Sequence, residues 1–194
     1  MKMNFKYPIG STPLEPDELV DLIPKHITTQ QELNAWEEKN ILLAQQWAFK
    51  QKDILTLTFI QQLHKRMFQE TWKWAGTFRK SDKNIGIHWS QIAMKVKELC
   101  DNIIYQVEHA VFSMDEIAVR FHHLLVWIHP FPNGNGRHAR LIADLFIMLH
   151  NGKRLSWGMH QNLYEATPIR EQYIKALQQA DKGDYSHLLT FARS

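Results

Sequence analysis

The residues best suited to chemistry form one run, His129-Pro130-Phe131-Pro132-Asn133-Gly134-Asn135-Gly136-Arg137-His138-Ala139-Arg140. His129 titrates near neutrality and fits a general base. Gly134 and Gly136 lack Cβ atoms, so the chain there can take positive φ and let a ligand approach closely, and Asn135 tolerates the left-handed region too. Successive amides in such a turn form a concave anion nest. The residues after the turn, Arg137 to Ile147, carry a helical pattern. The N-terminus of that helix offers free N–H groups and the positive dipole end, which suit phosphate. Arg137 and Arg140 are three apart and share a helix face, and guanidinium suits bidentate phosphate contact. The run therefore reads as a phosphate cradle with a base beside it.

Two rival chemistries fail on spacing. A P-loop needs Lys-Ser/Thr after its last glycine and a strand before it, and neither is present. His122, His123, His129 and His138 invite a metal reading, but the chain has no H-E-x-x-H or C-x-x-C, and His122 and His123 read as structural. A solvated helix–helix connection would not need so glycine-rich a turn, whose fixing costs order.

At these residues the chain resembles the Fic-domain family, whose signature is H-P-F-x-[D/E]-G-N-G-R-x-x-R. His129, Pro130, Phe131, Gly134, Asn135, Gly136, Arg137 and Arg140 match. Asn133 departs from it, standing where the family has an acidic magnesium ligand; its amide oxygen can coordinate Mg²⁺ but without charge. The resemblance implies transfer of AMP from ATP to a Tyr, Ser or Thr hydroxyl of a target protein. It casts His129 as the base, and Gly134, Asn135, Gly136, Arg137 and Arg140 as nucleotide-binding. Arg137 would also be catalytic, Asn133 would face Mg²⁺, and Phe131 would anchor the loop in the core. Neutral Asn133 leaves open transfer of UMP, GMP or phosphate instead. A non-catalytic module that binds nucleotide or a partner is the remaining alternative.

The surrounding elements must position this run. Pro8, Gly10, Pro13, Pro16 and Pro24 make Met1 to about Pro24 an irregular arm. Thr28 or Thr29 caps a helix from Thr29 to Lys50, with Glu32 as capping-box partner. Further helices are expected over Leu55–Gln69, Gln91–His109, Asp115–Ile128, Leu163–Gln179 and Tyr185–Ala192, besides the one after the loop. Trp72–Lys80 and Ile85–Trp89 favour extended structure around a Ser81–Asn84 turn. This pair resembles the family's β-hairpin flap, with Ile85, Gly86 and Ile87 implied to dock the target by strand addition.

The expected fold is all-α: a Fic-type helical bundle with a small β-hairpin flap over the active site. Its expected division is an N-terminal arm and inhibitory helix over residues 1–54 and a catalytic core over 55–194. Many family members carry an inhibitory [ST]-x-x-x-E-[GN] helix whose Glu pairs with the second arginine. Glu32 and Glu37 are the candidates here, pairing with Arg140. The arm and first helix also look like the subgroup called mobile mystery protein B, which implies a small helix-turn-helix regulator or antitoxin as partner.

Composition sets the outer bounds. The 194 residues suit one domain with an extension, and 44% hydrophobic content can build a core. A net charge of +3 without a Lys/Arg block gives no reason to expect nucleic-acid binding. Cys100 is the single cysteine, which suits a reducing cytoplasm. No apolar stretch is long enough to cross a membrane.

Overall fold

The computed structural model describes residues 12–158 and 167–194. Among these the regular elements are helices: α1 (Pro16–Leu19), α2 (Gln30–Ala48), α3 (Leu57–Phe68), α4 (Ile92–Glu108), α5 (Met114–Ile128), α6 (Asn135–Leu149), α7 (Pro168–Ala180) and α8 (Ser186–Arg193), with one 3₁₀ turn at Trp89–Gln91. The all-α expectation holds.

Local chemistry explains the helix starts. Thr29 Oγ1 accepts from Glu32 N–H at 3.2 Å, and the Glu32 carboxylate returns to the Thr28 and Thr29 amides at 2.9 and 3.0 Å. Thr56, Ser113 and Thr167 cap α3, α5 and α7 through the side-chain bond alone, accepting from the N–H groups of Phe59, Glu116 and Arg170. The arm expected to be irregular contains the short α1, started by Pro16 and closed by a capping box between Glu15 and Glu18. The expected helix start at Leu163 lies outside the described residues.

α5 and α6 pack on one another and carry the site loop between them. Phe121, Leu125, Ile142 and Phe146 are fully or nearly fully buried at this centre. α2 packs on α3, α4 on α5, and α7 on α8. The buried positions of α2 are Leu33, Glu37, Asn40, Ala44 and Ala48, a stripe at helical spacing with one carboxylate inside it.

The expected β-hairpin is absent. Among the described residues the one β-bridge pairs Leu22 of the arm with Trp72, not one arm of the hairpin with the other. Trp72, Trp74 and Arg79 are buried and packed inward. The Arg79 guanidinium, from the first arm, donates to Ser81 O in the turn and to Ile87 O in the second arm, where a ladder would have used backbone amides.

Candidate active site

α5 ends on His129, whose backbone is left-handed (φ 54°, ψ 61°) with its N–H still bonded to Leu125 O at 3.1 Å. Such a conformation costs free energy for a residue with a side chain and must be held by its surroundings. Arg79 holds it. Its Nε donates to His129 O at 2.7 Å, Nη2 to Ile128 O at 3.4 Å and to Ile87 O, and Nη1 to Ser81 O at 2.8 Å. The Arg79 amide adds a bond to Pro130 O at 3.0 Å.

The loop floor is aromatic. Phe131 is fully buried and stacks on the His64 ring at 3.7 Å between centroids. His64 Nδ1 accepts from the Gly76 amide at 3.0 Å, so Nε2 carries the proton and donates to Asn133 O at 3.0 Å. Burial holds this imidazole well below its ordinary pKa, consistent with that neutral tautomer. Asn135 clasps the loop from its far end: Oδ1 accepts from Phe131 N–H at 3.0 Å and Nδ2 donates to Phe131 O at 2.8 Å.

Gly134 makes the turn into α6, with φ 79°, and a Cβ there would lie 2.6 Å from the Phe68 ring. His138 N–H to Gly134 O, at 3.0 Å, is the first bond of the α6 ladder, so the Asn135 and Gly136 amides precede it. Gly136 was expected to share the turn. It lies inside α6 instead, where a Cβ would meet Arg140 Nη1 at an ordinary 3.5 Å. Its contribution is an amide at a helix N-terminus, not a left-handed bend.

The His129 ring is buried and its Nε2 lies 3.0 Å from Thr12 Oγ1. Nδ1 makes no well-formed hydrogen bond. Burial, reinforced by the charges of Arg79 and Lys83, pushes the imidazole down to about 3, against the opposing Val126 carbonyl. The ring is therefore neutral near pH 7 and able to accept a proton; an anion bound beside it would raise its basicity.

Arg137 packs over the Phe68 ring at 4.8 Å and forms an ion pair with Glu37 Oε2. The other carboxylate oxygen, Oε1, accepts from Trp72 Nε1 at 2.7 Å. Glu37 is 3% exposed, so it is a buried charge with both oxygens engaged. The expectation placed this partner on Arg140. The buried stripe of α2 turns Glu37 toward Arg137 instead, while Arg140 lies over the Tyr173 ring at 5.4 Å. Glu32 is not at the site, since its carboxylate is spent on the α2 cap.

Ile85, Gly86 and Ile87 form no strand, and of the three Gly86 packs directly against His129. A Cβ on Gly86, whose φ is 98°, would lie 2.6 Å from His129 Cβ. Ile87 N–H reaches Ile128 O at 3.4 Å, and Ile85 is exposed. Asn133 Oδ1 accepts from Gly134 N–H at 2.7 Å and Nδ2 donates to Thr12 O at 3.1 Å. This donor set does not by itself fit a divalent cation: one neutral oxygen already has a partner, and no His/Cys/Asp/Glu cluster of metal-holding form occurs among the described residues. His122 and His123 are structural, hydrogen-bonded at 3.0 Å to Tyr173 and at 2.9 Å to Tyr185.

Thr12 and His64 are site-forming residues that the sequence reading did not single out for such a role. Thr12 lies 117 positions from its partner, and His64 lacks any flanking motif. Arg79 lies within the Trp72–Lys80 stretch expected to be extended, and no local pattern marks it as a site residue.

Residues 54–147 match the model of the Fic/DOC family. This stretch of the chain is a Fic domain. It contains α3 to most of α6, and so His129 through Arg140, whereas Thr12 and Glu37 lie outside it. A probable protein adenylyltransferase of Aquifex aeolicus (strain VF5) is 39% identical over 66 residues, 34% of this chain and 18% of that protein. A protein adenylyltransferase of Caenorhabditis briggsae is 32% identical over 91 residues, 46% of this chain and 16% of that protein. The matches thus span under a fifth of those relatives' lengths. Among solved structures, the N-terminal Fic domain of a cell filamentation protein from Bartonella quintana superposes with TM-score 0.68 at 17% identity, covering 87% of this chain and 84% of that one. BepC of Bartonella tribocorum, with bound AMPPNP, gives 0.67 at 15% identity, covering 96% and 93%. At these identities the Fic fold is what is shared. No helix among the described residues is long and apolar enough to cross a membrane.

Proposed function

We propose that the chain is a protein adenylyltransferase that moves AMP from ATP to a side-chain hydroxyl of a target protein, restrained by Glu37. The observation that carries this reading is the pairing of a buried, neutral His129 with a hydroxyl at 3.0 Å from Nε2, at the mouth of the α6 N-terminus. A base needs that reach to take the proton of an attacking hydroxyl, and a well-placed one contributes about 10²–10⁴-fold. The names of the Aquifex and Caenorhabditis relatives and the nucleotide bound in BepC point the same way.

In this reading the target hydroxyl gives its proton to His129 as its oxygen attacks the α-phosphorus. The Asn135 and Gly136 amides at the head of α6 face the phosphates, each such donor contributing on the order of 3 kcal/mol to the transition state. Arg137 and Arg140 neutralise the outer phosphates. Arg137 cannot do so while Glu37 holds it, which makes α2 a brake. A divalent ion arriving with the nucleotide would supply further charge neutralisation, and Asn133 Oδ1 would be the loop's neutral oxygen toward it.

Asn133 favours a second reading, transfer from another nucleotide, because the position carries no charge. Intact-mass measurement of Glu37→Gln protein incubated with ATP, GTP and UTP in turn separates the two. An adenylyl adduct from ATP supports the first reading, and a guanylyl or uridylyl adduct with none from ATP replaces it with the second.

A further inference from the structure

Thr12 occupies the place where an acceptor hydroxyl has to stand. Its Oγ1 is 3.0 Å from His129 Nε2, and its carbonyl accepts from Asn133 Nδ2 at 3.1 Å. The residue is 4% exposed although it precedes a four-residue helix in a proline-rich arm. The arm that carries it is fastened to the domain further along. Glu18 Oε2 pairs with Lys83 Nζ at 2.5 Å, Trp74 Nε1 donates to Glu18 O at 3.3 Å, and Leu22 bridges to Trp72.

A purely structural threonine would need one bond to a buried partner. This one is gripped at side chain and main chain by two residues of the site loop, with its hydroxyl on the base. The main-chain grip also gives Asn133 a reason to be an amide. Its Nδ2 donates to a carbonyl, which a carboxylate could not do.

Resting on the transferase reading above, we propose that Thr12 is the chain's own acceptor and that the enzyme adenylylates its arm in cis. His129 Nε2 takes the proton from Thr12 Oγ1 while the Oγ1–Pα bond forms. The bond from Pα to the bridging oxygen of the β-phosphate breaks, and pyrophosphate leaves with the electron pair. Once the imidazolium has passed that proton to solvent, the phosphodiester oxygen at Thr12 has none to give Nε2, the two face each other as acceptors, and the modified arm loses its side-chain bond to the base. Modification thereby clears the acceptor place for a hydroxyl of another protein.

The test uses the full chain as Glu37→Gln and Glu37→Gly, the first retaining an acceptor for Trp72 in case the second folds poorly. Each is incubated with ATP and Mg²⁺, followed by intact mass and by peptide mapping. The proposal expects one adenylyl adduct on Thr12, formed at a rate independent of protein concentration. It expects retention in Thr12→Ser and a loss of at least about 10²-fold in Thr12→Val, matching the contribution of an aligned base–hydroxyl pair. A His129-dependent adduct on a different residue, or a rate that rises with protein concentration, overturns the proposal and leaves the transferase reading standing. Adenylyl transfer to lysate proteins by Glu37→Gln/Thr12→Val protein, with no self-adduct in its Thr12 parent, overturns it in the same way. No label on the chain or on any lysate protein sinks both.

Discussion

Glu37 of α2 holds the Arg137 guanidinium at the start of α6 across 100 residues of sequence, while its second oxygen takes the Trp72 indole N–H at 2.7 Å. Two different jobs thus rest on one buried carboxylate. It neutralises an arginine that the phosphate site needs, and it satisfies an indole donor in the core.

Removing the charge alone should release the arginine while sparing the indole. Glu37→Gln is expected to raise ATP-dependent labelling by about tenfold or more, the equivalent of ~1.4 kcal/mol. Glu37→Ala leaves the Trp72 donor and Arg137 without this partner, and removing one member of a buried pair costs about 3–5 kcal/mol at most. Its unfolding midpoint in urea should therefore fall well below that of Glu37→Gln. Equal midpoints would show that the indole bond contributes nothing.

Gly86 sets the closest approach to the base. A methyl group there meets His129 Cβ at 2.6 Å and Arg79 Nη2 at 2.8 Å, at a φ of 98°. Gly86→Ala is expected to cost roughly 1–3 kcal/mol in backbone strain and to displace the imidazole. Thermal unfolding and labelling should both drop. A variant that keeps wild-type activity would mean that segment 85–87 does not position His129.

Much of the site could be read from sequence because its parts are contiguous. The loop, the base before it and the arginines after it sit within residues 129–140, and the Thr29/Glu32 cap is a local signature. What escaped is non-local. Which glutamate reaches the site, and which arginine it meets, depends on how the 33/37/40/44/48 stripe rotates α2 against its neighbours. The hairpin expectation failed because Trp72 and Trp74 alternate like strand residues yet bury against helices, and a single arginine replaces the ladder. In the Thr12–His129 contact only the His129 end lies in a motif, so its partner 117 positions away could not be read from the sequence.

Asn133 should behave as an arm anchor. Asn133→Asp removes the donor to Thr12 O and sets two acceptors against each other, an unmet bond of about 1–3 kcal/mol. Hydrogen exchange of peptides covering residues 12–20 should quicken while α5 and α6 stay protected. The added carboxylate should also lower the Mg²⁺ concentration needed for half-maximal labelling. Unchanged exchange in the arm would contradict the anchoring role.

Acid should destabilise this domain through its buried histidines. Burial pushes His129 and His138 down to about 3, and His64 and His122 well below their ordinary value. In the unfolded chain each titrates near 6.5, at about the model-peptide value. The unfolded state therefore binds protons that the folded state refuses. Stability is complete above about pH 6.5 and is lost as pH falls toward 3, by up to ~1.4 kcal/mol per pH unit per histidine. The urea midpoint should be clearly lower at about pH 5.5 than at about pH 7.5. A midpoint that does not move would place these rings in contact with water.

The decisive measurement is transfer of label from ATP carrying it on the α-phosphate, set against ATP carrying it on the γ-phosphate. Glu37→Gln protein is compared with the Glu37→Gln/His129→Ala double variant in a cell lysate. Protein-bound label should come from the α-phosphate alone and fall about 10²–10⁴-fold without His129. Label that arrives from the γ-phosphate, or that persists without His129, would contradict adenylyl transfer with His129 as its base.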